Sequence, residues 1–148
     1  MRIARITDAD GLAGCHIIRQ AVFVGEQGVT VAEEWDGRDS RCRHYLAADE
    51  TGPAGTARVM PLGKGCAKIQ RVAVIAAHRG TGLGTRLMKL VMDDLRTEGI
   101  TEAVLDSQVS AIPFYERLGF AAEGPEFDDA GIPHRRMRRS LQVVNRSP

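Results

Sequence analysis

Residues 78–86 read HRGTGLGTR, with Gly80, Gly82 and Gly84 on alternate positions between two arginines. Beyond them Leu83, Leu87, Met88, Val91, Met92 and Leu95 recur at helical spacing, opposite Arg86, Lys89, Asp93 and Arg96, and Gly99 closes the run. The glycines therefore stand at the mouth of a long amphipathic helix. Glycine lets a backbone approach a ligand closely, and the first turn of a helix offers unpaired N–H groups at the positive end of its dipole. Such a mouth suits an anion, and Arg79 adds charge to it.

Working outward, CAKIQRVAVIA (66–76), GPAGTARVMPL (52–62) and HYLAAD (44–49) are β-rich runs separated by turn residues, which predicts an antiparallel meander. MRIARI (1–6) alternates as a strand, and Asp8 or Asp10 can cap a helix carrying Leu12, Ile17, Ile18, Ala21 and Val22. Residues 25–43 read as a long polar loop with at most one helical turn. On the far side, EAVLDSQ (102–108) reads as a buried strand. SAIPFYERLGF (110–120) reads as a short helix with Ser110 as N-cap, Pro113 in its first turn and Gly119 at its end. FAAEGPEF (120–127) and IPHRRMRRSL (132–141) predict a hairpin through DDAG, and residues 143–148 a frayed tail.

The 148 residues fit one domain, 1–148. Lysine and arginine number 20 against 19 acidic residues, so neither nucleic acid nor an acidic membrane is expected as partner. The four arginines of HRRMRRS (134–140) lack interleaved aromatics and read as a solvated strand. Cys15, Cys42 and Cys66 are odd in number with no CxxC spacing, which argues against disulfides and zinc; no metal is expected, and a cytoplasmic location fits. LAGC (12–15) matches a lipoprotein cleavage box, but Asp8 and Asp10 stand where an apolar export segment is needed. No apolar run approaches the ~20 residues that cross a bilayer, so no membrane partner is expected.

Spacing separates the phosphate sites the glycines could form. A P-loop needs a lysine where Arg86 follows Gly84-Thr85, and a dinucleotide fingerprint counted from Gly82 meets Leu87 at its sixth position. Arg79-Gly80-Thr81-Gly82-Leu83-Gly84 instead fits Q/R-x-x-G-x-G/A after a strand and before a long helix. Together with LDSQVSAIPFYERLGF (105–120), AVFVGEQGV (21–29), the RH of CRHYLA and FDDAGIPHRRM (127–137), the chain resembles the GNAT superfamily of N-acetyltransferases, in its ElaA-like branch.

The resemblance implies the GNAT fold, an α/β (α+β) architecture with a central, mostly antiparallel mixed sheet of six to seven strands flanked by about four helices. It implies acetyl-CoA as cosubstrate, direct acetyl transfer to a primary amine of a small molecule or peptide, and Tyr115 as general acid on the departing thiolate. Cofactor binding falls to Val72, Ala73 and Val74 through their backbone, to Arg79, Gly80, Thr81, Gly82, Leu83, Gly84 and Thr85 at the phosphates, and to Phe114. The periodicity of the short helix turns Phe114 and Leu118 to the core and leaves Tyr115 about a hundred degrees around. For the base, Glu26, Glu126 and His134 lead, with Glu33, Glu34, Asp36 and His44 behind them and a relaying water as an alternative. Trp35 is either a wall for a cationic substrate or a loop anchor. His16 and His78 read as structural. A non-catalytic acyl-CoA sensor is the rival function, an NAD or ATP site ranks last, and monomer and homodimer both stay open.

Overall fold

The computed structural model describes residues 1–142; the tail expected at 143–148 lies outside the described residues. Seven strands form one sheet in the order β1-β2-β3-β4-β5-β7-β6. They are β1 (Arg2–Ile6), β2 (Arg43–Asp49), β3 (Gly52–Gly63), β4 (Cys66–Val74), β5 (Glu102–Gln108), β6 (Ala121–Asp129) and β7 (Ile132–Ser140). Every neighbouring pair is antiparallel except β4 and β5, which run parallel because α3 (Leu83–Thr97) carries the chain back between them. The expected meander and terminal hairpin are both present.

Four α-helices flank the sheet: α1 (Ala9–Arg19), α2 (Val31–Glu34), α3 and α4 (Ile112–Arg117). The apolar stripe of α3 buries Leu87, Met88, Val91, Met92 and Leu95 against Tyr45, Val59, Ile69 and Leu105, and Leu83 at its start against Ala47 and Ala54. Full burial of such a side chain stabilises by about 1.5–3 kcal/mol. Ile18 of α1, with Val22 just beyond it, packs with Leu46, Ala73 and Ile75. Successive strand residues face opposite sides, so Tyr45 in one cluster and Leu46 in the other put α3 and α1 on opposite faces.

Three local expectations change. Asp8 caps α1, accepting from Gly11 N at 2.7 Å, but the helix does not dissolve at Gly25; it continues as a π-helical segment, Gln20–Glu26, whose side chains still reach the core through Val22. The polar segment holds the one short helical turn expected of it, α2, fixed by a capping box in which Thr30 and Glu33 bond reciprocally, but adds a 3-10 turn at Asp39–Arg41. Ser110 is not a cap: it lies inside a 3-10 turn, Val109–Ala111, that runs straight into α4, and the helical backbone of Ala111 leaves no extended residue for a hydroxyl cap. Pro113 does sit in the first turn of α4.

Candidate active site

The sheet forks at its centre. β4 pairs with β3 to its end, at Gly55↔Val74, but with β5 only from Cys66↔Glu102 to Ile69↔Leu105. At the fork β4 also bulges, since Arg58 faces Gln70 and Thr56 faces Ala73, so Ala57 stands opposite both Arg71 and Val72. Arg71 adopts φ 53°, a conformation that side-chain-bearing residues rarely take. A cavity of ≈ 380 Å³ fills the fork, lined from one face by Val22, Phe23, Glu26 and Gln27 and from the other by Ala111 and Tyr115.

Antiparallel ladders alternate, and that alternation identifies the main-chain groups facing the cavity. Ile75 N donates to Ala54 O at 2.9 Å, so the neighbouring hydrogen-bonded pair is Ala73 with Thr56. Val74 therefore turns its N–H and C=O away from β3, toward the open side, and Val72 does the same by parity. Of the three strand residues expected to bind through their backbone, Val72 and Val74 are the exposed edge, while Ala73 is packed at 5% exposure beneath α1.

The glycine turn lies where β4 leads into α3. Gly82 is the N-cap, left-handed at φ 82°, with no side chain capping the helix, and Gly80 is at φ 77°. A Cβ on either would meet nothing within 4 Å, so these glycines serve the backbone turn rather than a tight contact. Gly84 does serve a close approach, because a Cβ there would sit 3.3 Å from Phe114 Cζ. Thr81 Oγ1 donates to His78 O at 2.6 Å and stiffens the turn. Leu83 is buried in the core, so it can offer only its amide, while Thr85 is half-buried. Arg79 is turned back on the protein: its Nε donates to Val74 O at 2.9 Å and its terminal nitrogen pairs with Glu26 Oε1 at 2.7 Å.

As spacing predicts, Phe114 and Leu118 both pack on the core, but Tyr115 is buried there as well. Tyr115 is 8% exposed and joins Leu118 in the core, whereas Phe114 is half-buried against Gly84. Tyr115 packs edge-on to Phe114 and Phe120, lines the cavity, and its hydroxyl joins no hydrogen bond among the described residues. Burial holds its phenol above the usual range, so it stays protonated.

Of the three leading base residues, two reach the cavity. His134 lines it, stacks on Phe127, and places Nδ1 2.7 Å from Ile132 O; a carbonyl only accepts, so Nδ1 carries the proton and Nε2 of the neutral ring is an acceptor. Glu26 lines it but is held by Arg79. Glu126 is exposed on an irregular stretch of β6 and does not line the cavity.

Residues 19–141 match the acetyltransferase (GNAT) domain family. The chain belongs to that family. It is 34% identical over 144 residues to YyaT, an uncharacterized Bacillus subtilis protein, covering 95% of this chain and 97% of the relative. It is 31% identical over 140 residues to the uncharacterized N-acetyltransferase YjcF of the same organism, covering 94% and 99%. Among solved structures, an acyl-CoA N-acyltransferase from Pseudomonas aeruginosa superposes with a TM-score of 0.83 at 28% identity, covering 93% of this chain and 98% of that one. Escherichia coli ElaA does so with a TM-score of 0.83 at 25% identity, with the same coverage.

In this GNAT domain most of the other acidic side chains expected near the acceptor are spent on structure. Arg19 and Arg58, each 1% exposed, are sunk beneath the segment after α1. Arg19 pairs with Glu34 at 2.5 Å and with Asp39 at 2.8 Å; Arg58 pairs with Asp36 at 2.8 Å and Asp39 at 2.9 Å and also bonds Gln70. Arg71, at the bulge, reaches Glu34 at 3.0 Å. For Asp39, burial alone would raise the carboxyl, but hydrogen bonds from Arg58 and Arg19 bring it down to about 2. Hydrogen bonds from Arg58 likewise hold Asp36 far below its usual range. His44 bonds Asp39 O at 2.9 Å, and desolvation lowers its pKa. Glu33 still lines the cavity while serving the capping box. Trp35 resolves as the loop anchor, its face covered by Arg19 at 5.1 Å and its edge met by His16. Among the described residues no acidic, histidine or cysteine group could hold a metal ion, and no helix is long and apolar enough to cross a membrane.

Spacing offered no sign of Arg71 or of the Gln27–Gln108 bond, 2.8 Å, that ties the end of the π-helical segment to β5 across the cavity. A bulge leaves no mark in residue periodicity, and both contacts join segments far apart in the chain.

Proposed function

We propose that the protein transfers the acetyl group of acetyl-CoA directly to a primary amine of a small molecule or peptide. The observation that carries this reading is the continuity of one cavity from Arg79, beside the uncapped mouth of α3, along the free edge of β4 to Tyr115. Its donors fit the cosubstrate: amides at Gly84 and Thr85 suit a diphosphate, and an exposed strand edge suits an amide-bearing arm. Acetyl-CoA supplies the thioester-activated acyl group.

The chain's own residues then have separate tasks. Val72 and Val74 pair with the arm as a strand would, and the N–H of Val72 or Val74 steadies the charge that gathers on the carbonyl oxygen during attack. An alkyl ammonium, with a pKa near ~10, must lose a proton before it can attack; His134 Nε2 accepts it. Tyr115, kept protonated by burial, gives its proton to the departing sulfur. The half-exposed rim between α2 and the β6–β7 turn admits the acceptor.

The test is release of free thiol from acetyl-CoA against a panel of amines. Amine-dependent release that falls about 10²–10⁴-fold in kcat in Tyr115→Phe supports the reading. CoA binding in calorimetry without release for any amine assigns the protein instead to the acyl-CoA sensors.

A further inference from the structure

Glu26 is an acidic side chain at the entrance of a cavity proposed to receive a polyanion, where charge alone makes it unwelcome. It ends the π-helical segment at 40% side-chain exposure and binds the terminal nitrogen of Arg79 at 2.7 Å. Arg79 in turn places Nε 2.9 Å from the carbonyl of Val74. That carbonyl is one of the few hydrogen-bonding groups that the β3–β4 ladder leaves facing the open side. Thus one carboxylate holds a guanidinium over the edge that an added strand would use.

We infer that Glu26 is a positioning residue for cofactor entry: it holds Arg79 across Val74 as a latch, which phosphate groups open by drawing Arg79 away. This rests on the reading that the cavity takes acetyl-CoA. The latch exchanges one anion for another on the same guanidinium, so the Val74 carbonyl becomes free in the same step that gives the diphosphate its cation. A ligand with the arm but no phosphates has nothing to trade. The latch thus discriminates in favour of the intact coenzyme over its pantetheine fragment. It also gives Glu26 a task other than proton abstraction.

Calorimetry with CoA and with pantetheine on the full chain tests this, using Glu26→Gln, Arg79→Gln and the double variant. A partly exposed ion pair is worth about 1 kcal/mol at most, so Glu26→Gln should bind CoA up to about fivefold more tightly and lower KM for acetyl-CoA rather than change kcat. In the Arg79→Gln background the same substitution should change CoA affinity less than twofold, because the two residues act as a unit. Tighter binding by the same factor in both backgrounds reduces Glu26 to a bulk charge and overturns the latch. Unchanged or weaker CoA binding in Glu26→Gln also overturns it, as does a collapse of kcat at constant affinity, which makes Glu26 the base. Should the wild-type protein bind no CoA, the function proposed above falls and the latch with it. Glu26 is half-exposed, and an unaltered melting temperature confirms that the variant is folded.

Discussion

Asp39 offers the sharpest quantitative test of how the segment after α1 is anchored. Its carboxylate serves three partners from two other elements: Oδ1 accepts from Arg19 at 2.8 Å and Arg58 at 2.9 Å, and Oδ2 meets His16 Nε2 at 3.0 Å. Both arginines are 1% exposed, so they cannot turn to water for compensation. Asp39→Asn keeps an oxygen where the guanidinium groups converge and removes only the charge. The fall from the ordinary 3.8 to about 2 in the folded chain corresponds to about 2 kcal/mol at neutral pH. A carboxylate with a depressed pKa stabilises the fold above the unfolded value, and that contribution drains away as pH falls toward the folded one. Urea denaturation should therefore show Asp39→Asn less stable by about 2 kcal/mol at pH 7 and by about half that at pH 3. A penalty under about 1 kcal/mol at pH 7, or one that does not shrink between pH 7 and pH 3, refutes the view that charge at this position anchors the segment.

Further outcomes follow from the same geometry. His134→Gln removes the acceptor nitrogen and should lower kcat about 10²-fold with CoA affinity intact; unchanged turnover would remove His134 from the reaction. Gly82→Ala meets open space around its new Cβ, so only the left-handed backbone at φ 82° opposes it. It should lose about 1–2 kcal/mol in urea titrations and bind CoA more weakly, and an unchanged stability would contradict the strained turn. Because burial holds the Tyr115 phenol above its usual value, no basic limb below pH 9 in the kcat profile should disappear in Tyr115→Phe.

The frame of the molecule was legible because its signals are local. Alternation in β1, the β-rich runs and turn residues of β2 to β4, the apolar stripe of α3 and the glycines ahead of it all lie within short windows, and each formed where the sequence placed it. Legibility stopped where partners came from distant segments. Glu34 and Asp36 looked like free carboxylates because Arg19, Arg58 and Arg71, which neutralise them, come from three separate elements. Helical spacing leaves Tyr115 free to point away from Phe114 and Leu118, and its burial was not legible because it depends on packing against Phe120 beyond the helix as well as Phe114. β-rich composition between turn residues marked β4 as a strand, but which of its peptide groups stay unpaired depends on the register with β3 and on the bulge at Arg71.

The π-helical segment has a consequence for evolution as well as for shape. Gln27 N reaches back to Val22 O, five residues away, so each residue there turns through less than the hundred degrees of an α-helix. By Glu26 the accumulated lag aims the chain at the glycine turn. Loss of one residue from this stretch would rotate every following side chain about the helix axis and carry the Glu26 carboxylate off Arg79.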